Sequence, residues 1–321
     1  MSFLSKLQPF FIILSALIGI ALGKFIPFLE QYAGNFIELF LMCMLFFVFL
    51  NVQIKEITKS FSDLRFSFSA LIINFIFTPL FTFALSKIFL SGQIDLQIGF
   101  IMLMVTPCTD WYLIFTGLAN GNVSLGASIL PLNLILQIIL LPLYLLLFMG
   151  TEVSFEISTI IHSIVLVLIV PLVAANAVKF IIKKINGQNF LIKIVKKADD
   201  IQCILLCFAI ISMFASQGVL LLDNTILFIK LLPVLLIFFV VIFCVSLFTG
   251  KALKMPFKNS ISLVFTTSAR NSPISLAIAT ITFPLQPVIS LVLVMGPLIE
   301  LPILAINSVI LKKSGKRSGC I

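Results

Sequence analysis

Residues 98–122 read IGFIMLMVTPCTDWYLIFTGLANGN, and residues 261–280 read ISLVFTTSARNSPISLAIAT. Each is an apolar run of membrane-spanning character with a proline and a polar cluster in its middle. A proline in a helix interior removes a backbone donor and clashes with the preceding turn. Pro107 and Pro273 therefore predict broken helices. Thr106, Pro107, Cys108, Thr109 and Asp110 line the first break; Thr266, Thr267, Ser268, Arg270, Asn271 and Ser272 precede the second proline. A hydroxyl residue before proline, as in Thr106-Pro107 and Ser272-Pro273, is the cap-then-first-turn signature of a helix start. Unwound backbone at membrane depth survives only where protein or a polar cavity satisfies it. Two such breaks crossing near the midplane offer positive helix ends to an anion and carbonyls to a cation. The bland alternative is a simple kink, the reading given to Pro79, Pro142, Pro171, Pro233 and Pro302.

The composition around these stretches is that of a membrane protein. Of 321 residues, 61% are apolar and 10% charged, with 21 Lys/Arg, 12 Asp/Glu and a net charge of +9; soluble domains carry about 25% charged residues. An ordinary soluble domain, a disordered chain and a nucleic-acid binder are excluded. One His and one Trp leave little material for a metal centre or His-based catalysis. No HExxH, GxSxG or glycine-rich phosphate loop occurs, so neither an enzyme nor a cofactor is expected. The six Cys form no paired CxxC pattern. Cys203 and Cys207, at i and i+4, read as small core residues, with a metal or metalloid pair as the alternative.

A spanning helix needs about 20 mostly apolar residues. Ten spans read at 7–23, 35–52, 67–89, 97–118, 125–148, 160–180, 200–216, 226–248, 261–282 and 288–311. With a cytosolic N-terminus, 17 of the 21 basic residues fall in inside segments. Lys24, Lys87 and Lys230 fall outside, and Arg270 lies within a span. This asymmetry is the positive-inside signal, and gaining or losing one span would scramble it. The chain thus reads as a multi-pass protein of the cytoplasmic (inner) membrane with N- and C-termini cytosolic.

The longest polar interruption, 181–199, lies at the midpoint. Residues 1–180 hold the first repeat (spans one to five) plus span six, and residues 200–321 hold spans seven to ten, completing the second repeat. Five is odd, so the second half enters from the opposite side, as in the inverted repeats of secondary transporters. Thr106-Pro107 is followed 24 residues later by Pro131-Leu132, and Ser272-Pro273 by Pro297-Leu298 at the same spacing. The basic stretch KFIIKKINGQNFLIKIVKK (179–197) is either a solvated connector or a segment on the inner leaflet. There it would attract anionic lipid at about 1 kcal/mol per basic residue.

Of the 12 acids, all but Asp110 and Glu300 belong to loops or span ends. Those two lie at membrane depth with Arg270, and burying one such charge costs about 2.5–3.5 kcal/mol on insertion scales. Two acids against one base leave one carboxylate to carry a proton or cation. Without transport, Asp110–Arg270 is a structural ion pair. Asn133 and Gln137 on span five, with Glu300 on span ten, face the same region if those helices pack beside the breaks. Asn74 on span three is equally readable as an interhelical hydrogen bond. Gly19 and Gly23 form a GxxxG that speaks for close packing, and His162 reads as interfacial.

TPCTDWYLIFTGLANGN (106–122) followed by LPLNLILQ (130–137), and SARNSPISLAIA (268–279) followed by GPLIELPIL (296–304), resemble the bile acid:sodium symporter superfamily. Within it they most resemble the arsenical-resistance (arsenite permease) branch. The resemblance implies an all-α polytopic membrane protein of ten transmembrane helices in two inverted five-helix repeats. Spans three to five and eight to ten would form a core domain, with broken helices four and nine crossing. Spans one, two, six and seven would form a panel domain, and rocking between the two gives alternating access. A Cys in the fourth span and a Glu in the tenth are implied, matched by Cys108 and Glu300; Arg270-Asn271 also resembles that branch. Two departures stand out: Pro107 occupies a place usually held by Arg, and Asp110-Trp111 is not the usual continuation. The sodium-coupled branch has a Glu one turn before a Gln-Asn pair, where this chain has Thr266 and then Arg270-Asn271. A guanidinium there repels Na⁺ at close range, so proton-linked or potential-driven movement is expected.

These features support three readings. In the first, the chain exports arsenite, with antimonite as a related cargo. Cys108 is the soft ligand, because a soft metalloid prefers thiolate to oxygen, and Glu300 carries the proton. Arg270 and Asp110 then act as gate or counter-charge, and Thr109, Asn271, Ser272, Asn133 and Gln137 line the path. In the second, the chain is a sodium- or proton-coupled symporter of a small organic anion, held by Arg270 and the half-helix N-termini. In the third it is a receptor or structural protein without flux. The expected partners are a small-molecule or ion substrate and the lipid bilayer, with no nucleic acid; a monomer or a homodimer fits equally.

Overall fold

The computed structural model describes residues 3–51, 63–108, 112–150, 169–184, 188–223 and 225–317. These are almost wholly helical, and among the described residues there is no strand. In chain order the helices are α1 (Phe3–Phe25), α2 (Pro27–Tyr32), α3 (Ile37–Asn51), α4 (Leu64–Ile72), α5 (Thr78–Phe89), α6 (Ile94–Met104), α7 (Tyr112–Leu118) and α8 (Val123–Ser128). They continue with α9 (Leu130–Met149), α10 (Val170–Lys184), α11 (Gln188–Asp223), α12 (Thr225–Ala252), α13 (Phe257–Ser268), α14 (Ser272–Thr282) and α15 (Pro287–Arg317). Thr109, Asp110, His162 and residues 160–168 of span six lie outside the described residues.

Among the described residues four stretches are long and apolar enough to cross a membrane: Leu64–Phe89, Val123–Met149, Ile229–Ala252 and Pro287–Gly315. The two stretches that opened the sequence reading behave differently. The helix read across 97–118 stops at Met104, and the one read across 261–282 is divided into α13 and α14. At 11 and 12 residues, α6 and α13 each rise about 17 Å, roughly half the hydrocarbon thickness.

Within the basic connector, residues 188–199 are helical and form the first turns of the 36-residue helix α11. No Gly or Pro occurs from 188 to 217, and Lys, Ile and Ala are all compatible with helix. Positive-inside counting registers where charge lies and is blind to the backbone that carries it.

The chain divides into two compact units. The first comprises Met1–Gln53, Phe155–Thr225 and Pro273–Val294. Here α1 and α3 pack along α11, and α10 lies against α3. The GxxxG of α1 supplies the close approach: a Cβ on Gly19 would stand 2.7 Å from the Ile211 carbonyl oxygen, and one on Gly23 would drive into the Ala215 carbonyl. Phe40 stacks on Phe208 at 5.6 Å, and Lys179 donates to the Phe49 carbonyl at 2.8 Å. Cys203 is buried in this unit. Among the described residues no group of three or more metal-ligating side chains occurs.

The second unit comprises Ile54–Ser154, Ile226–Ser272 and Met295–Ile321. Between α4 and α5 the backbone loosens into a π turn over Ile73–Phe77. The carbonyl of Phe75 would ordinarily accept from residue 79, but Pro79 has no N–H. The Tyr144 hydroxyl of α9 supplies the missing donor at 2.7 Å. At one end of the unit Asp63 caps α4 by accepting from the Phe66 N–H, and its other oxygen accepts from Asn259. Asn122 donates to Asn259 at 3.0 Å, and Ser262 donates to the Asn122 carbonyl at 2.8 Å. Segments 63–66, 119–124 and 250–260 therefore meet at one end of this unit.

Candidate functional site

The site is built from the ends of α6 and α13. After Met104 the chain turns through Val105 and Thr106 into an extended step at Pro107; after Ser268 it is extended at Ala269 and Arg270. The two extended segments run antiparallel. The Cys108 N–H donates to the Ala269 carbonyl at 2.9 Å, and the Asn271 N–H to the Thr106 carbonyl at 2.7 Å. Pro107 and Arg270 thus face each other as a bridge pair flanked by hydrogen bonds rather than making them. In an antiparallel ladder such a pair leaves both its N–H groups pointing away from the partner strand. Proline, which has none, loses nothing at this register. Arg270 has an outward N–H, and it is donated to Oε1 of Glu300 on α15 at 3.0 Å.

A helix end leaves its last four carbonyls without intrahelical partners. For α6 all four are met: Ile101 accepts from the Val105 N–H, Met102 and Leu103 accept from the Thr106 hydroxyl at 3.0 and 3.2 Å, and Met104 accepts from Nη1 of Arg270 at 2.8 Å. The Thr106 hydroxyl thus reaches back to close α6. Pro107 is in the extended pair, whereas Pro273 stands in the first turn of α14. At the end of α13, Phe265 accepts from the Ala269 N–H, Thr266 from Asn74 at 3.3 Å, and Ser268 from Nε of Arg270 at 3.2 Å.

Arg270 is fully buried. Besides these two carbonyls its guanidinium makes a long 3.5 Å contact to the Asn74 Oδ1 and lies 5.3 Å over the Phe238 ring. A cation over a desolvated ring gains about 2 kcal/mol. The sequence reading placed Arg270 against carboxylates. The structure gives its backbone N–H to one, Glu300, and brings its guanidinium to the ends of both half-helices. Asp110, the other proposed partner, lies outside the described residues, as does Thr109.

Cys108, 2% exposed, and Glu300, fully buried, flank this crossing. Asn271 and Ser272 are buried in the segment that leads into α14. Asn133 reaches the Thr266 hydroxyl at 3.4 Å. Gln137, one turn further along α9, is 1% exposed, and neither of its amide atoms has a hydrogen-bond partner among the described residues. The Asn133 Oδ1 and the Ser268 hydroxyl share that condition. Buried polar atoms without partners cost free energy, so this face of α9 and α13 suits water or a polar ligand.

Two contributors escaped the sequence reading. Phe238 is one Phe among 34. Gly296 lies one turn before Glu300, and a Cβ there would stand 2.5 Å from Leu103. Its bare face lets α15 approach the end of α6 closely enough for Glu300 to reach the crossing. The only sequence signal was the Gly-Pro step at 296–297, which reads as helix punctuation.

Comparison with known proteins gives this geometry a family. The model of the Sodium Bile acid symporter family matches residues 38–224, more than half of the chain. The arsenical-resistance protein Acr3 of Corynebacterium glutamicum is 27% identical over 94% of this chain and 87% of its own length. The uncharacterized transporter slr0944 of a Synechocystis species is 23% identical, covering 96% and 88%. The Acr3 of Alkaliphilus metalliredigens is 20% identical, covering 90% and 86%. Apolar helices and family match agree: this chain is a membrane transporter, not an enzyme, and belongs to the sodium bile acid symporter family.

Proposed function

We propose that the chain exports arsenite by alternating access, with Cys108 as the metalloid ligand. The observation that carries the reading is a buried thiol placed directly in the extended pair where two half-helices end, with the Glu300 carboxylate bonded to the same pair. One thiolate binds a soft metalloid reversibly, whereas two or three would hold it too tightly for turnover. Similarity to two Acr3 arsenical-resistance proteins points the same way. Glu300 carries the proton, and Asn271, Ser272, Asn133 and Gln137 line the path, with Thr109 and Asp110 beside Cys108.

In this reading ten spans form two inverted repeats, with spans three to five and eight to ten as core and spans one, two, six and seven as panel. The meeting of segments 63–66, 119–124 and 250–260 supports the topology, because the alternation of ten spans puts all three on the cytosolic side. Burial of the Arg270 guanidinium on helix carbonyls speaks against the organic-anion alternative, whose carboxylate would need those donors. Thr266 in place of a carboxylate, with Arg270 beside it, favours proton-linked over sodium-linked movement. The test is growth of an arsenic-sensitive host on arsenite. Wild type restores growth and Cys108→Ser does not. Full resistance in Cys108→Ser removes the ligand role, and uptake of labelled organic acids without arsenite protection would select the alternative.

A further inference from the structure

We propose that the Arg270 guanidinium is a tethered cation that holds the crossing closed in place of a free ion, and that removing it creates a binding site for a free monovalent cation. The C-terminus of a helix carries about half a negative charge, concentrated on its last carbonyls. Here two such ends meet, and the terminal carbonyls of both, Met104 on α6 and Ser268 on α13, point at one guanidinium. Two half charges sum to about one, and the Glu300 carboxylate on the Arg270 N–H adds to the negative side that the guanidinium faces. The arrangement is enclosed: Arg270, Thr266 and Ser268 are fully buried, and Phe238 covers the cation's face. Cutting the side chain away leaves the Met104 and Ser268 carbonyls and the Asn74 Oδ1, all of them acceptors, facing the volume it vacates.

The inference rests on the transport reading only for its consequence, which is that the chain needs no small coupling cation to keep its broken helices together. Its own content is thermodynamic and can be read without substrate. The experiment measures thermal unfolding of the full-length chain in detergent, as wild type, Arg270→Ala, Arg270→Lys and Asn74→Ala. Each is titrated at constant ionic strength with guanidinium, Na⁺ or K⁺ at millimolar concentration, with choline as the bulky control. A cation that binds only the folded form raises the melting temperature with its concentration. Arg270→Ala is expected to melt lower than wild type. Guanidinium should recover at least about 2 °C of the loss, with a smaller gain from Na⁺ or K⁺ and none from choline. Wild type, Arg270→Lys and Asn74→Ala should show no such dependence.

A melt of Arg270→Ala that responds no more to guanidinium, Na⁺ or K⁺ than to choline overturns the inference. So does a wild type equally sensitive to them. If Arg270→Ala does not survive extraction, Arg270→Lys decides. Its ammonium keeps the charge, so a choline-like response supports the tethered cation and rescue by free guanidinium refutes it. Intact arsenite resistance alongside a cation-insensitive Arg270→Ala would sink this inference and leave the proposed function standing. Loss of wild-type resistance with cation rescue of Arg270→Ala would do the reverse.

Discussion

Pro107 and Arg270 face each other across the one antiparallel bridge among the described residues, and neither needs its N–H for the pairing. The proline breaks its helix and sits where a missing donor costs nothing, while the arginine turns its free donor to Glu300 at 3.0 Å. The junction of the two broken helices is thus tied to a third helix through a carboxylate.

This gives Glu300 two separable jobs. Glu300→Gln keeps an oxygen for the Arg270 N–H but cannot exchange a proton in the same range. It should melt close to wild type and lose arsenite efflux. Glu300→Ala also orphans a buried N–H, a cost of about 1–3 kcal/mol, and should melt clearly lower. Melting curves and efflux from everted vesicles separate the two. Equal melting of Gln and Ala variants would show that the carboxylate does not anchor the crossing.

Cys108→Ser should fold normally. The bridge uses the Cys108 backbone N–H, and the buried side chain keeps nearly the same volume. The expected result is an unchanged melting temperature with at least about tenfold lower resistance, equivalent to 1.4 kcal/mol of lost binding.

The Tyr144 hydroxyl is matched to the donor that Pro79 lacks. Tyr144→Phe leaves the buried Phe75 carbonyl without that bond and should destabilise by about 1–3 kcal/mol. In a Pro79→Ala background residue 79 regains an N–H, and the cost of Tyr144→Phe should shrink. A double-mutant cycle on melting with no coupling would refute the pairing.

Gly23 and Gly296 test close approach in the two units. Gly23→Ala drives a Cβ into the Ala215 carbonyl, backbone that cannot turn aside, and should cost about 1–3 kcal/mol by overpacking. Gly296→Ala meets the flexible end of Leu103 and should be milder. Gly296→Val should push α15 from the end of α6 and lower efflux more than stability. Paired melting and efflux measurements on each variant check this ordering.

How much was legible in the sequence follows from which interactions are local. Hydropathy and the distribution of Lys and Arg are one-dimensional quantities, so the membrane class and the interruption at Pro107 could be read from the chain alone. Cys108, Arg270 and Glu300 stood out for the same reason, being rare groups within apolar runs. The partners of those groups could not be read. The guanidinium reaches a carbonyl 166 positions away, and the Arg270 N–H a carboxylate 30 positions away. Charge pairing suggested carboxylates for Arg270. Tertiary structure brought its guanidinium to two helix ends, because broken helices concentrate partial negative charge on backbone that no sequence pattern displays. The basic midpoint likewise carried its charge visibly, while the helical continuity of residues 188–199 became visible only in three dimensions. Sequence by itself determined that this is a membrane protein with two interrupted helices and a thiol, a cation and an acid within apolar runs. Only the fold decided the register that joins the interruptions, since backbone hydrogen bonds between distant segments depend on geometry rather than on residue type.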